Sequence, residues 1–263
     1  MSRILICALA LLVPAVALAK APRSGFQPRT LTLAGRSMRY QVYVPPGYDA
    51  KQRWPVVLFL HGSGERGSDG VAPTRAGLGP AIRAHDDWFP LLAVFPQAPA
   101  DGYWSGPTVE DALGVLTAVE REYAVDPERE YLVGMSMGGY GTWQLDVNHP
   151  RRFAALVPVC AGVLSPPSEP DIPAVRLAPG SAPGADLYAG IAAAASPTPV
   201  WIFHGAEDPV VPVENARRMA AALRQLGGEV RFTELPYVGH DAWDPAFNSP
   251  DLWNWLLAQH RKP

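Results

Sequence analysis

Tyr131-Leu132-Val133-Gly134-Met135-Ser136-Met137-Gly138-Gly139-Tyr140-Gly141 is the stretch on which the reading of this chain turns. An apolar run ends in Gly-x-Ser-x-Gly and passes straight into small and aromatic residues. Glycines two residues to either side of a serine suit a sharp turn, where a crowded backbone leaves no room for larger neighbours. Such a turn needs a strand before it and a helix after it. Residues 130–133 read as a short buried strand, and residues 139–148 carry apolar positions at helical spacing until His149-Pro150 stops them. The serine hydroxyl is then presented at the end of a strand.

Upstream, residues 54–60 and 91–95 are continuous apolar runs of the kind buried on both faces of a parallel sheet. Residues 31–33 and 38–44 alternate apolar with polar around Ala34-Gly35-Arg36-Ser37 and predict an antiparallel hairpin at the start of that sheet. The preceding residues 20–29 read as extended or loose. Residues 109–123 predict a helix whose stripe is Val109, Ala112, Leu113, Leu116 and Val119. Downstream, residues 153–159, 199–203 and 230–235 predict further strands, and residues 214–226 and 251–259 predict helices. The expectation is an α/β fold with a mostly parallel central sheet, an N-terminal antiparallel hairpin and helices on both faces. Between 162 and 199 the pattern weakens into Pro, Ala and Gly, which predicts a lid or a mobile insertion with one short helix at 186–195.

The 263 residues are 48% hydrophobic and 18% charged, enough for a sizeable core in one domain. The net charge of −3 comes without any basic stripe, which argues against nucleic acid as a partner. Met1-Ser2-Arg3, the apolar run 4–18 and Ala17-Leu18-Ala19 read as a signal peptide cleaved after Ala19, so that residues 20–263 form the exported domain, periplasmic or secreted. No later run is long and apolar enough for a span, so no stable membrane anchor is expected after cleavage. Cleavage would also remove Cys7 and leave Cys160 without a disulfide partner, a small apolar residue in the core or a site of intermolecular pairing.

A serine hydroxyl is a weak nucleophile at neutral pH and needs a base, which in turn needs an acid to fix its tautomer. In a doubly wound sheet the order Ser, acid, His follows from successive strands ending on one edge. After Ser136 the stretch His204-Gly205-Ala206-Glu207-Asp208-Pro209 follows a predicted strand, with Asp208 in the loop and Glu207 its close rival. Gly239-His240 follows the last strand, and the glycine allows a bend that returns the imidazole of His240 to the serine. His61 and His204 close buried strands and read as structural. His61-Gly62-Ser63-Gly64 is a glycine-rich turn after a core strand, where backbone N–H groups can point into a pocket. Tyr103-Trp104, on a loop after another strand, either wall a substrate site or pack inside. No metal or nucleotide motif is present, so no metal site and no cofactor are expected.

With these blocks in order, the chain resembles the serine esterases of the α/β-hydrolase superfamily. It is similar to the exported group that contains feruloyl and acetylxylan esterases and the predicted peptidases of prolyl oligopeptidase type. The carrying blocks are LHGSGERG, VFPQAP, VDPEREYLVGMSMGGYGTW, WIFHGAEDPVVP and VGHDAW. The resemblance implies Ser136 as nucleophile, Asp208 as acid and His240 as base. It places the oxyanion N–H groups on Met137 and on Ser63, chosen over Gly64; of the Tyr103-Trp104 pair, Trp104 is the residue expected to bind substrate. The implied substrate is a small or polysaccharide-linked ester, acetyl or feruloyl. A serine peptidase, and a binding protein that kept the fold without activity, are the other two readings. The 162–199 stretch has no counterpart in the group's blocks.

Overall fold

The computed structural model describes residues 23–181 and 184–261. The signal peptide and cleavage site that the sequence predicts, and Cys7, lie outside the described residues.

Among the described residues eight strands form one sheet: β1 (Gly25–Leu33), β2 (Arg36–Val44), β3 (Trp54–Leu60), β4 (Leu92–Pro96), β5 (Val125–Met135), β6 (Ala155–Val159), β7 (Val200–Gly205) and β8 (Val230–Leu235), in the order β1-β2-β4-β3-β5-β6-β7-β8. β1 and β2 form an antiparallel hairpin across Ala34 and Gly35, both at positive φ, as a two-residue turn of matching twist requires. β2 pairs antiparallel with β4, and every later pairing is parallel. The N-terminal segment therefore begins pairing at Gly25, earlier than its polar, Pro-containing sequence predicts. The full register with β2 overrides weak local propensity there.

Among the described residues seven α-helices cover the sheet: α1 (Leu78–Ala84), α2 (Gly106–Glu122), α3 (Met137–Asn148), α4 (Leu187–Ala195), α5 (Glu214–Gln225), α6 (Trp243–Phe247) and α7 (Pro250–Leu257). Strand alternation sorts the core. Val56, Leu58 and Leu60 join residues of α2, α3, α4 and α5 on one face, while Val57 and Phe59 join those of α1, α6 and α7 on the other. Both faces of β3, β4 and β6 are buried, which explains their unbroken apolar runs.

The 162–199 stretch is irregular among its described residues up to Asp186 and then forms α4, at the place where the sequence predicts a short helix. Ile172, Val175, Tyr188, Ile191 and Ala195 are core residues, and α4 packs between α3 and α5 as the crossover from β6 to β7. Val175 N–H donates to Val163 O (2.9 Å), Arg176 N–H donates to Gln144 Oε1 (2.8 Å), and the Tyr188 hydroxyl bonds Asn215 Oδ1 (2.8 Å). Its small residues reflect close packing between helices, which a periodicity argument tuned to large apolar side chains does not see.

α3 is buried from Met137 to Val147, including Asp146 at 0% exposure. Among the described residues neither carboxyl oxygen of Asp146 has a hydrogen-bond partner, and burial raises its pKa to about 7. Below about pH 4 both folded and unfolded chains hold the proton. As pH rises toward 7 only the unfolded chain releases it, so stability falls across that window by an amount of order 2–4 kcal/mol. We expect Asp146→Asn to match the parent in urea denaturation at pH 4 and to exceed it at pH 8. A parallel pH dependence in the two proteins would contradict this account.

Candidate active site

Ser136 sits between β5 and α3 at φ 50° and ψ −121°, a conformation that strains a residue with a Cβ. The turn is tight because α3 starts hard against the end of β3. A Cβ on Gly138 would overlap the Leu60 carbonyl oxygen. Ser136 N–H donates to Val159 O (2.9 Å), which ties the turn to β6. Only 5% of Ser136 is exposed.

The three residues that the sequence singles out for chemistry meet at this edge. His240 Nε2 is 2.8 Å from Ser136 Oγ, and His240 Nδ1 is 2.8 Å from Asp208 Oδ2. Asp208 Oδ1 accepts from Val210 N–H (2.8 Å) and Val211 N–H (2.9 Å), so the carboxylate is fixed at both oxygens. Its rival Glu207 is in the same loop, where its N–H donates to Val238 O (3.0 Å). Burial pushes the Asp208 carboxyl up, but hydrogen bonds from His204, His240 and Val211 outweigh it and hold the group well below the usual carboxylate range. An ionised Asp208 must accept from Nδ1–H, which leaves Nε2 free to accept from the serine.

The backbone brings His240 back by a different device from the one the sequence suggests. The left-handed residue is Tyr237, at φ 61° and 88% exposed, and Gly239 is absent from the positive-φ positions. What glycine does supply is a close approach at Gly205, where a Cβ would overlap Gly239 O and force the acid and histidine loops apart. Behind the imidazole, the half-buried Trp243 ring stands edge-on to His240 at 5.4 Å. It lies on α6, a five-residue helix too short to show periodicity in sequence.

The His61-Gly62-Ser63 turn is held rigidly. His61 Nε2 accepts from Ala98 N–H (3.0 Å), so the proton is on Nδ1, which donates to Gly62 O (2.6 Å). Burial lowers the His61 pKa to about 4, consistent with a neutral ring. In a trans peptide the Ser63 N–H points opposite to the Gly62 carbonyl, hence away from that ring. Met137 is the first residue of α3, and its N–H has no acceptor within the helix.

Trp104 is corrected from a substrate wall to a support. It is 2% exposed, its Nε1–H donates to His61 O (2.9 Å), and its ring stands edge-on to His61 at 4.9 Å. A buried indole needs an acceptor, and the carbonyl that ends β3 is the one within reach. Tyr103 is the member of the pair left half-buried, with the Arg66 guanidinium 5.1 Å from its ring. Cys160 is buried at φ 42° directly after β6, and burial pushes its thiol up. Among the described residues no group of three or more His, Cys, Asp or Glu is placed to hold a metal ion, and no helix is long and apolar enough to cross a membrane.

A serine, histidine and aspartate in one hydrogen-bonded chain, at the carboxyl edge of a mostly parallel sheet covered on both faces, define an α/β hydrolase of the serine type. The comparisons narrow the class. The family described as Esterase PHB depolymerase matches residues 38–240, and the chain belongs to that family. NocK of Nocardia uniformis subsp. tsuyamanensis, named as an esterase, is 28% identical over 222 residues, 78% of this chain and 62% of NocK. The chain thus spans about three fifths of that relative's length. Probable feruloyl esterase C of Aspergillus terreus is 25% identical over 227 residues, 81% of this chain and 71% of that one. Among solved structures a thermostable esterase superposes with a TM-score of 0.73 at 29% identity, over 90% of this chain and 63% of its own. The feruloyl esterase module from Clostridium thermocellum has a TM-score of 0.67 at 20% identity, a likeness of fold.

Proposed function

We propose that this protein is an exported carboxylic ester hydrolase that works through an acyl-enzyme on Ser136. The observation that carries the reading is the continuous chain from Ser136 Oγ through His240 to Asp208. Ser136 Oγ attacks the ester carbonyl carbon while His240 Nε2 takes its proton. The tetrahedral oxyanion is met by the N–H groups of Met137 and Ser63, and collapse expels the alcohol, which takes the proton from His240. Water then adds to the acyl carbon with His240 again as base, releasing the acid and restoring the serine.

Acetyl and feruloyl esters, free or linked to polysaccharide, are the substrates this reading favours. The names of the esterase relatives and the resemblance of the sequence blocks support it. The test compares p-nitrophenyl acetate, butyrate and octanoate, methyl ferulate and a chromogenic dipeptide, using protein from Lys20 onward with Ser136→Ala beside it. Turnover of acetate or ferulate that the variant lacks is the expected result. Cleavage of the dipeptide alone would replace the reading by a peptidase.

The oxyanion assignment has its own test. Ser63 opens a short 3₁₀ turn (Ser63–Glu65), and Gly62 before it is extended at ψ −177°, a backbone that accepts proline at position 63. Ser63→Pro therefore deletes the N–H with little strain. We expect kcat to fall by about 100- to 1000-fold while the thermal midpoint moves little. An unchanged kcat would move the donor elsewhere.

A further inference from the structure

Asp208 carries a second imidazole. His204, the penultimate residue of β7, is wholly buried, and its Nε2 lies 3.2 Å from Asp208 Oδ2 and 2.8 Å from Val211 O. A carbonyl oxygen only accepts, so the proton is on Nε2 and is shared between Val211 O and the carboxylate. Nδ1 of the same ring is buried and without a partner among the described residues. The Nε2–H tautomer is thus the one that these contacts satisfy. Both rings address Oδ2: His240 uses it for orientation, and His204 draws on the same oxygen.

We propose that His204 is a positioning residue for the catalytic pair. It anchors the Asp208 loop to β7 and limits the negative charge that Asp208 offers to His240. This inference rests on the proposed Ser136–His240–Asp208 mechanism. Two features argue that the contact is built for the acid and not for core filling. A leucine would fill the space without an orphan nitrogen, and the Val211 N–H and C=O both converge on this corner, one on Asp208 Oδ1 and the other on His204 Nε2. Other ionisable groups around the corner are Tyr140 on α3, Cys160 after β6, Glu234 on β8 and Asp241 beside His240.

The experiment measures kcat and KM for p-nitrophenyl acetate across pH for the parent, His204→Leu and His204→Gln. Glutamine places an amide N–H where Nε2 stood. Loss of one charge-assisted hydrogen bond that matters in the transition state predicts a fall of about 10- to 100-fold in kcat for leucine, with KM held. Leucine also leaves more charge on Oδ2, so the acid limb of kcat/KM moves to higher pH. Glutamine restores both. A folded His204→Leu enzyme with parental kcat and parental acid limb overturns the proposal. If leucine does not fold, ¹H–¹⁵N spectra of the parent imidazoles decide, with His204→Gln supplying the assignment. An Nε2–H tautomer at His204 is expected, and an Nδ1–H tautomer refutes it. Failure of the mechanism itself would read differently: Ser136→Ala would keep its activity whatever the state of His204.

Discussion

Ser136→Ala is expected to lower kcat for ester hydrolysis by about a million-fold while leaving the protein folded. The size of the loss follows from what the hydroxyl does. It forms the bond that the acyl-enzyme requires, and His240, Asp208 and the oxyanion donors act only on that bond, so removing it makes the rest idle together. Residual turnover, about 10³- to 10⁴-fold above water, would come from binding and oxyanion stabilisation alone. The variant is isosteric apart from one oxygen and keeps the Ser136 N–H bond to Val159 O. Its stability therefore measures whether a loss is chemical. Assay beside labelling by a fluorophosphonate makes the check, with a phosphonyl adduct on the parent and none on the variant. A variant that still hydrolyses p-nitrophenyl acetate at the parental rate would remove Ser136 from the mechanism.

The second large effect is at Asp208→Asn, where we expect kcat to drop by about 10⁴-fold. The Val210 and Val211 N–H groups both point at Oδ1, so an asparagine must place its carbonyl oxygen there. Its NH₂ then occupies the Oδ2 position, facing two rings that were both donating into it. His240 can meet that amide only by becoming an acceptor at Nδ1. The proton goes to Nε2, and the imidazole can no longer take one from Ser136. His204 faces the same conflict, so the variant is also destabilised, by about 1–3 kcal/mol for the unsatisfied buried groups. Stopped-flow acylation by p-nitrophenyl acetate would report the first effect and urea denaturation the second. Full acylation in this variant would contradict the tautomer argument.

The sequence carried most of the frame because parallel strands buried on both faces have no polar alternation to blur them. Residues 54–60 match β3 residue for residue, and residues 230–235 match β8, an edge strand that is only half-buried and is legible by its alternation of apolar with polar residues. The Ser, Asp, His order was readable because a wound sheet delivers successive strand ends to one edge, and the motif around Ser136 has few other uses. What sequence could not carry was contact across strands. Trp104 is equally aromatic in a wall or in a core, and only the position of the His61 carbonyl decides. His204 reads as a structural residue closing a buried strand, and it is buried near the end of β7, yet four residues and one loop later the chain returns Asp208 to its ring. Short elements fail for another reason: α6 is less than two turns long, and α1, with two glycines at its start, has no stripe to recognise. In the segment 162–199 the short helix was legible at 186–195, and the alanines of α4 are the residues that let it sit close to its neighbours.

The left-handed backbone at Ser136 sets a conflict of interest at one codon. Glycine relaxes the strain there and serine does the chemistry, so an engineering campaign that ranks variants by melting temperature alone would be drawn toward discarding the nucleophile. Stabilised descendants of this protein should be selected on turnover in the same round, and gains sought in elements that touch none of Ser136, Asp208 and His240.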